Sequence, residues 1–189
     1  MPTARRVQRK AGPEHTFLSF QVKNFDASAR ASINHQVANP KYSFEPLLPE
    51  DLVYSHTTSL TVRGEATYPP ERAGVSYELT INGEDGRQKR VNLTLGDIQS
   101  QNKHGSPTYR QYRGRTIPVV DPVPGIALLG RNKQGIWTAW INVLPRLVSD
   151  MMAILNTNRS TWVSLHETKA GRTRWIRDIS IQTTNPEGE

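Results

Sequence analysis

The sequence predicts a mainly β fold: an antiparallel sandwich, jelly roll or barrel-like domain of about eight strands, with one short helix near residues 145–156. Three observations carry this expectation. Apolar and polar residues alternate with period two in run after run, Gly, Pro and Asn punctuate the runs, and only one stretch shows helical spacing. A length of 189 residues fits one domain, which at this size buries roughly 70 % of the surface its unfolded chain exposes. The expected organisation is a flexible basic arm over 1–14, a single β-rich domain over 15–184 and a short tail over 185–189.

Taken in order, the arm is polar and aperiodic. Thr16 to Phe25 then alternates, with Leu18, Phe20 and Val22 on one side and Ser19, Gln21 and Lys23 on the other, which is the pattern of a half-buried strand. Asp26 to Val37, rich in Ala and Ser behind a capping Asp26, reads as a short helix. Three prolines between Pro40 and Leu52 indicate an ordered loop. Leu60, Val62 and Ala66 mark a strand that stops before Pro69-Pro70. Val75, Tyr77, Leu79 and Ile81 alternate cleanly, and a Gly-rich turn separates them from Val91, Leu93 and Leu95, so the two runs are expected to form a hairpin.

Gln99 to Thr108 reads as a polar surface loop and Tyr109 to Val120 as one strand interrupted by Gly114. Pro118, Pro122 and Pro124 break any ladder beyond it. Ile126–Gly130 and Ile136–Val143 flank Arg131-Asn132-Lys133-Gln134-Gly135, a second expected hairpin, with Trp140 facing the core. Helical spacing then brings Val148, Met151, Met152 and Leu155 onto one side behind Pro145, a residue favoured at the first helical position. A last hairpin pairs Thr161–Thr168 with Arg172–Thr183, with Trp175, Ile179 and Ile181 as its apolar face and Arg172, Arg174, Asp178 and Gln182 opposite.

Composition excludes several chemistries. With no cysteine there is no disulfide, no thiol nucleophile and no Cys-based zinc site. No pair of histidines has zinc-ligand spacing, no Gly-rich phosphate loop follows a strand, and no carboxylate run resembles a calcium loop. No cofactor and no metal are therefore expected. No apolar stretch is long enough for a membrane span and no apolar segment follows the basic start, so the expected location is the cytoplasm or the inside of a particle.

Charge is the most informative bulk property. The chain carries a net +7, unevenly spread. Residues 1–14 hold four bases and one acid, residues 15–85 five bases and nine acids, and residues 86–189 fifteen bases and seven acids. Such a chain attracts polyanions, or copies of itself. The leading reading is a non-enzymatic protein that contacts nucleic acid, RNA or single-stranded DNA. It would do so through Arg5, Arg6, Arg9 and Lys10 of the arm and through Arg110, Tyr112, Arg113, Arg115, Arg172 and Arg174 of the basic half. Guanidinium groups grip phosphate bidentately and aromatic faces stack on unpaired bases. On a single strand, Arg113 and Arg115 would project to one side and Arg110 and Tyr112 to the other.

Two alternatives accompany it. One is a structural, coat-like assembly protein whose acidic and basic halves meet across subunits in a homo-oligomer. The other is enzymatic. Three of the five histidines have a hydroxyl two residues on: His56/Thr58, His104/Ser106 and His166/Thr168. Residues i and i+2 share a strand face, and two such pairs facing each other, His56/Thr58 and His166/Thr168, would resemble the two-histidine phosphodiesterases, where one imidazole is base and the other acid.

Overall fold

A computed structural model describes residues 12–33, 37, 41, 53–84, 91, 93–123 and 125–187 of the chain. The basic-arm residues Arg5, Arg6, Arg9 and Lys10 lie outside the described residues.

Among the described residues, nine strands and one α-helix follow in the order β1 (Glu14–Ile33), β2 (Tyr54–Tyr68), β3 (Ser76–Gly83), β4 (Tyr109–Tyr112), β5 (Arg115–Pro118), β6 (Ala127–Arg131), β7 (Trp137–Val143), α1 (Pro145–Leu155), β8 (Trp162–Ala170) and β9 (Thr173–Gln182). Seven of the strands close into a barrel in the order β1-β2-β3-β7-β6-β9-β8, with β8 returning to β1. Strands β4 and β5 form a separate two-stranded ribbon. The fold is thus the barrel form of the mainly β architecture. One pairing, β3 to β7, is parallel.

The alternation places one side of each strand inward. Leu18 and Phe20, Leu60 and Val62, Tyr77, Leu79 and Ile81, Ala139 and Ile141, Val163 and Leu165, and Ile176 form one continuous core. Helix α1 starts at Pro145, whose missing N–H is no loss in the first turn. It buries Val148, Met151 and Leu155 across the end of the barrel where β3 finishes. The approach is close there: a Cβ on Gly83 would sit 2.1 Å from Thr58 Oγ1 and 2.9 Å from Pro145 Cα.

The opposite end is closed by a polar cluster. Glu167, on the inward face of β8, is only 1 % exposed. Arg72 Nη1 donates to both its carboxylate oxygens at 2.8 and 2.9 Å and to the Tyr77 hydroxyl at 3.1 Å. Arg174 Nη1 donates to Glu167 at 3.2 Å, and its guanidinium lies 5.4 Å from the ring centre of Trp137. Burial opposes the charge on Arg72 and is the largest single effect, but the hydrogen bond and charge of Glu167, together with Tyr77, outweigh it and the guanidinium holds its proton more tightly than usual. Burial, then the Glu167 carboxylate, push the Tyr77 phenol above its ordinary range.

Several local expectations are corrected. Asp26 to Ile33 is not helical; it continues β1 and pairs with Tyr54–Thr61 of β2, so strand pairing overrides the Ala-rich propensity. The partner of β3 is not the run Val91–Leu95. Its neighbours are β2 and β7, and Leu93 and Leu95 are exposed. Tyr109 to Val120 is a hairpin rather than one strand, turning at Arg113-Gly114 with φ of 49° and 75°, the left-handed pair that a tight hairpin turn requires. Trp140 points outward at 75 % exposure, because Ala139 and Ile141 take the core-facing positions. A register shift opposite His166/Glu167 puts Arg174 and Ile176 on the inward side of β9 and leaves Trp175 half-buried. The hairpins β6–β7 and β8–β9, the end of β2 and the helix lie where the sequence places them.

Candidate nucleic-acid interface

The ribbon gathers the basic and aromatic residues that the sequence singles out. It is rooted by a small backbone lattice. Ser100 N donates to Val119 O, Thr108 N to Ser100 O, and Val119 N to Thr108 O, all at 2.9–3.0 Å. The Asn102 carboxamide oxygen accepts from the His104 and Ser106 amides at 2.9 and 3.1 Å, fixing the first turn as an Asx turn. From there β4 runs outward, reverses at Arg113-Gly114 and returns as β5.

The reversal changes which side chains share a face. Tyr112 pairs with Arg115 and Arg110 with Ile117, while Gln111 pairs with Thr116 and Tyr109 with Pro118. Directly paired residues lie on the same face. Arg110, Tyr112 and Arg115 therefore stand together, and Arg113 at the turn lays its guanidinium 5.3 Å from the Tyr112 ring centre, a cation–π arrangement. The single-strand reading had set Arg113 and Arg115 against Arg110 and Tyr112; the turn unites all four. The other face is held by Gln111 Nε2 donating to Thr116 Oγ1 at 2.8 Å. Every residue of β4 is exposed, as are Arg115 and Thr116.

Residues 99–120 contain Lys103, Arg110, Arg113 and Arg115 and no acidic residue. None of these four cations has an ion pair among the described residues. On the barrel several bases are matched with acids: Lys23 with Glu65 at 2.7 Å, Arg63 with Glu78 at 2.6 Å and with Asp26, Lys169 with Glu14 at 3.1 Å. The ribbon can present several guanidinium donors and a tyrosine ring to one anionic strand without first breaking an internal ion pair.

The remaining candidates are dispersed. Arg172 is exposed in the β8–β9 turn. Arg174 is engaged in the Glu167 cluster, a position the regular alternation of β9 conceals. His56 lies opposite Ala31 and His166 opposite Phe17 on β1. Those two β1 positions are separated by about 45 Å of strand at ~3.3 Å per residue, so the two histidine/hydroxyl pairs do not converge. The Thr58 and Thr168 hydroxyls are buried and, among the described residues, have no hydrogen-bond partner.

His166 instead meets a residue the sequence reading passed over. His15 Nδ1 and His166 Nε2 lie 3.1 Å apart, and Phe17 stacks on His166 at 4.6 Å. His166 and Phe17 line an open cleft of about 480 Å³ on the outer barrel wall, with Ser164, Asp178, Tyr68 and Glu187 also on its lining. Glu187 is docked rather than free, accepting from Ser19 Oγ and Thr67 Oγ1, each at 2.6 Å. The signal that could have found His15 is its place two residues before Phe17 on the outward face of β1. No grouping of three or more His, Asp or Glu residues suited to a metal occurs among the described residues, and no described helix is long and apolar enough to cross a membrane. The chain matches no protein-family model, no curated protein and no solved structure.

Proposed function

We propose that the protein is a non-enzymatic binder of single-stranded nucleic acid, RNA or DNA, and that the β4–β5 ribbon is its contact surface. The single observation that supports this is the shared face of Arg110, Tyr112 and Arg115, with Arg113 stacked at its end, in a 22-residue stretch free of acids. Arginines supply phosphate contacts; Tyr112 supplies a flat face for an unpaired base, worth about 1–3 kcal/mol where a base stacks. The exposed Tyr109 on the reverse face offers a second platform. Arg5, Arg6, Arg9 and Lys10 of the arm add four charges in sequence that strengthen binding without base preference.

Salt-titrated binding of labelled single-stranded RNA and DNA oligonucleotides tests the reading. Four phosphate contacts by ribbon cations give a slope of log affinity against log salt of about −2.8, at roughly −0.7 per contact on a single strand. The triple variant Arg110→Ala/Arg113→Ala/Arg115→Ala should flatten that slope by about 2 and leave the far-UV spectrum unchanged. Tyr112→Ala should weaken binding with no change in slope. A slope unaffected by the triple variant would remove the ribbon from the interface, and binding that is absent even at low salt would end the proposal.

A further inference from the structure

Among the described residues, the longest stretch of barrel strand with a neighbour on one side only lies where β1 outruns β8. Glu14 to Gln21 of β1 pair with β8, and the Val22 amide makes the last link, to Thr161 O at 2.9 Å. From Asn24 to Ile33 the strand is paired with β2 on one side, after a bulge at Lys23, and, among the described residues, Lys23 to Ile33 has no strand on the other. Half of the backbone N–H and C=O groups of that segment therefore face outward along an open edge. Such an edge is a template for another strand unless proline, like charges or a covering element blunts it. The segment Lys23-Asn24-Phe25-Asp26-Ala27-Ser28-Ala29-Arg30-Ala31-Ser32-Ile33 has no proline, and its two central charges are opposite in sign.

Those charges are also symmetric. If two copies of the segment run antiparallel about Ser28, Ser28 meets Ser28, Ala27 meets Ala29, Asp26 meets Arg30, Phe25 meets Ala31 and Asn24 meets Ser32. From Asn24 to Ser32 every polar residue then faces a polar one and every apolar residue an apolar one, Lys23 meets Ile33 at the two ends, and the two opposite-charge pairs form reciprocally, as a two-fold axis requires. Centring on any neighbouring residue destroys the Asp26–Arg30 match. Arg30 is exposed and has no ion pair among the described residues, and Asp26 is held on the same polar face by Arg63. The small side chains at 27, 28, 29 and 31 admit a close approach. On the opposite face Ile33 and Tyr54 are 59 % and 61 % exposed, and a joined four-stranded sheet would extend this apolar surface across both copies.

We infer that the protein forms a two-fold dimer by antiparallel pairing of the free β1 edges, Lys23–Ile33, in a register centred on Ser28. The inference is independent of nucleic-acid binding, since the ribbon β4–β5 takes no part in it.

The test uses the full chain and begins with sedimentation from micromolar to hundreds of micromolar concentration, where a monomer–dimer equilibrium is expected. Because the chain has no cysteine, a single introduced thiol reports the register. Ser28→Cys places two sulfurs across a pair whose Cα atoms are about 4.5–5.5 Å apart, within disulfide reach, and should yield a covalent dimer on mild oxidation. Asn24→Cys puts its two copies about 27 Å apart along the strands and should not. Arg30→Asp sets like charges opposite each other twice and should raise the dimer dissociation constant about tenfold. Mixing Arg30→Asp with Asp26→Lys should restore association, as a heterodimer with complementary pairs. A chain that stays monomeric at all concentrations, or a Ser28→Cys variant that cross-links no faster than Asn24→Cys, would overturn the inference.

Discussion

Glu167 is the place where the structure makes its sharpest energetic claim. The carboxylate is 1 % exposed, and it accepts two bonds from Arg72 and one from Arg174, whose side chains are themselves 15 % and 19 % exposed. Truncation to Ala leaves two guanidinium groups facing one another at the end of the barrel with no anion between them. Breaking a buried ion pair by removing one partner costs about 3–5 kcal/mol. In a chain of this length each kcal/mol moves Tm by roughly 2–4 °C, so Glu167→Ala should melt about 6–20 °C below the parent. Arg72→Ala should cost less, because Glu167 keeps its bond to Arg174. Replacing the whole set by apolar residues of similar volume, Glu167→Leu with Arg72→Met and Arg174→Met, should recover part of the loss, since the desolvation of three charges disappears with them.

Thermal and urea unfolding followed by far-UV circular dichroism measure the loss. Tryptophan emission adds a local report, because Arg174 stacks on Trp137. Two-state coincidence of the two signals licenses the comparison. A fall below about 3 °C for Glu167→Ala, equivalent to roughly 1 kcal/mol, would refute the reasoning. It would mean that water reaches the cluster and that the barrel is open at this end.

Three further outcomes follow from specific contacts. Trp140→Ala should change stability by no more than about 0.5 kcal/mol, because the ring is 75 % exposed; urea midpoints check this, and a loss of several kcal/mol would turn the strand inside out. Gly64→Ala should cost about 1–3 kcal/mol by overpacking, since a Cβ there would lie 2.1 Å from Gln21 O and 2.5 Å from Phe20 Cδ2; the same melts read it. Burial raises the Tyr77 phenol above its ordinary value of 10.0, so its contribution is complete below pH 10 and is lost as pH climbs through the higher folded value. Melts from pH 8 to pH 11 should fall less steeply at the alkaline end for Tyr77→Phe than for the parent.

Legibility in the sequence followed the range of the interactions involved. Period-two alternation was enough for β3, β7 and the β8–β9 pair, because one side of each faces a common core. The helix was legible because Pro145 and the spacing Val148–Met151–Leu155 act within one element. What failed depended on partners far away in the chain. Ala27, Ser28 and Ala29 have weak local preference, and only the register against Leu60, Ser59 and Thr58 makes them strand. The sequence neighbour Val91–Leu95 suited β3 as a hairpin mate, but Trp137–Val143 occupies that edge, in parallel. Trp140 was misplaced because size and apolarity were read without phase, and Arg174 because a register shift two residues away inverts the facing of β9. The candidate interface was found residue by residue yet assembled wrongly, since the sequence does not announce that Arg113 adopts a positive φ. Had that turn been recognised, the common face of Arg110, Tyr112 and Arg115 would have followed from pairing geometry alone.

Part of the charge on the barrel's walls is neutralised locally. Strands β1, β2 and β3 form one contiguous wall and β7, β6, β9 and β8 the other. The acids of the first wall are tied to bases of the same wall, Glu65 to Lys23 and Asp26 and Glu78 to Arg63, and Glu14 reaches Lys169 across the seam between β1 and β8. Directly opposed like charges on a wall destabilise it, which limits how much surplus positive charge the barrel itself can carry. The ribbon avoids that penalty. Arg110 is opposed by Ile117 and Arg115 by Tyr112, so its cations are interleaved with neutral side chains and sit diagonally rather than face to face. Spaced in that way, the cations let the ribbon fold without an internal counter-ion.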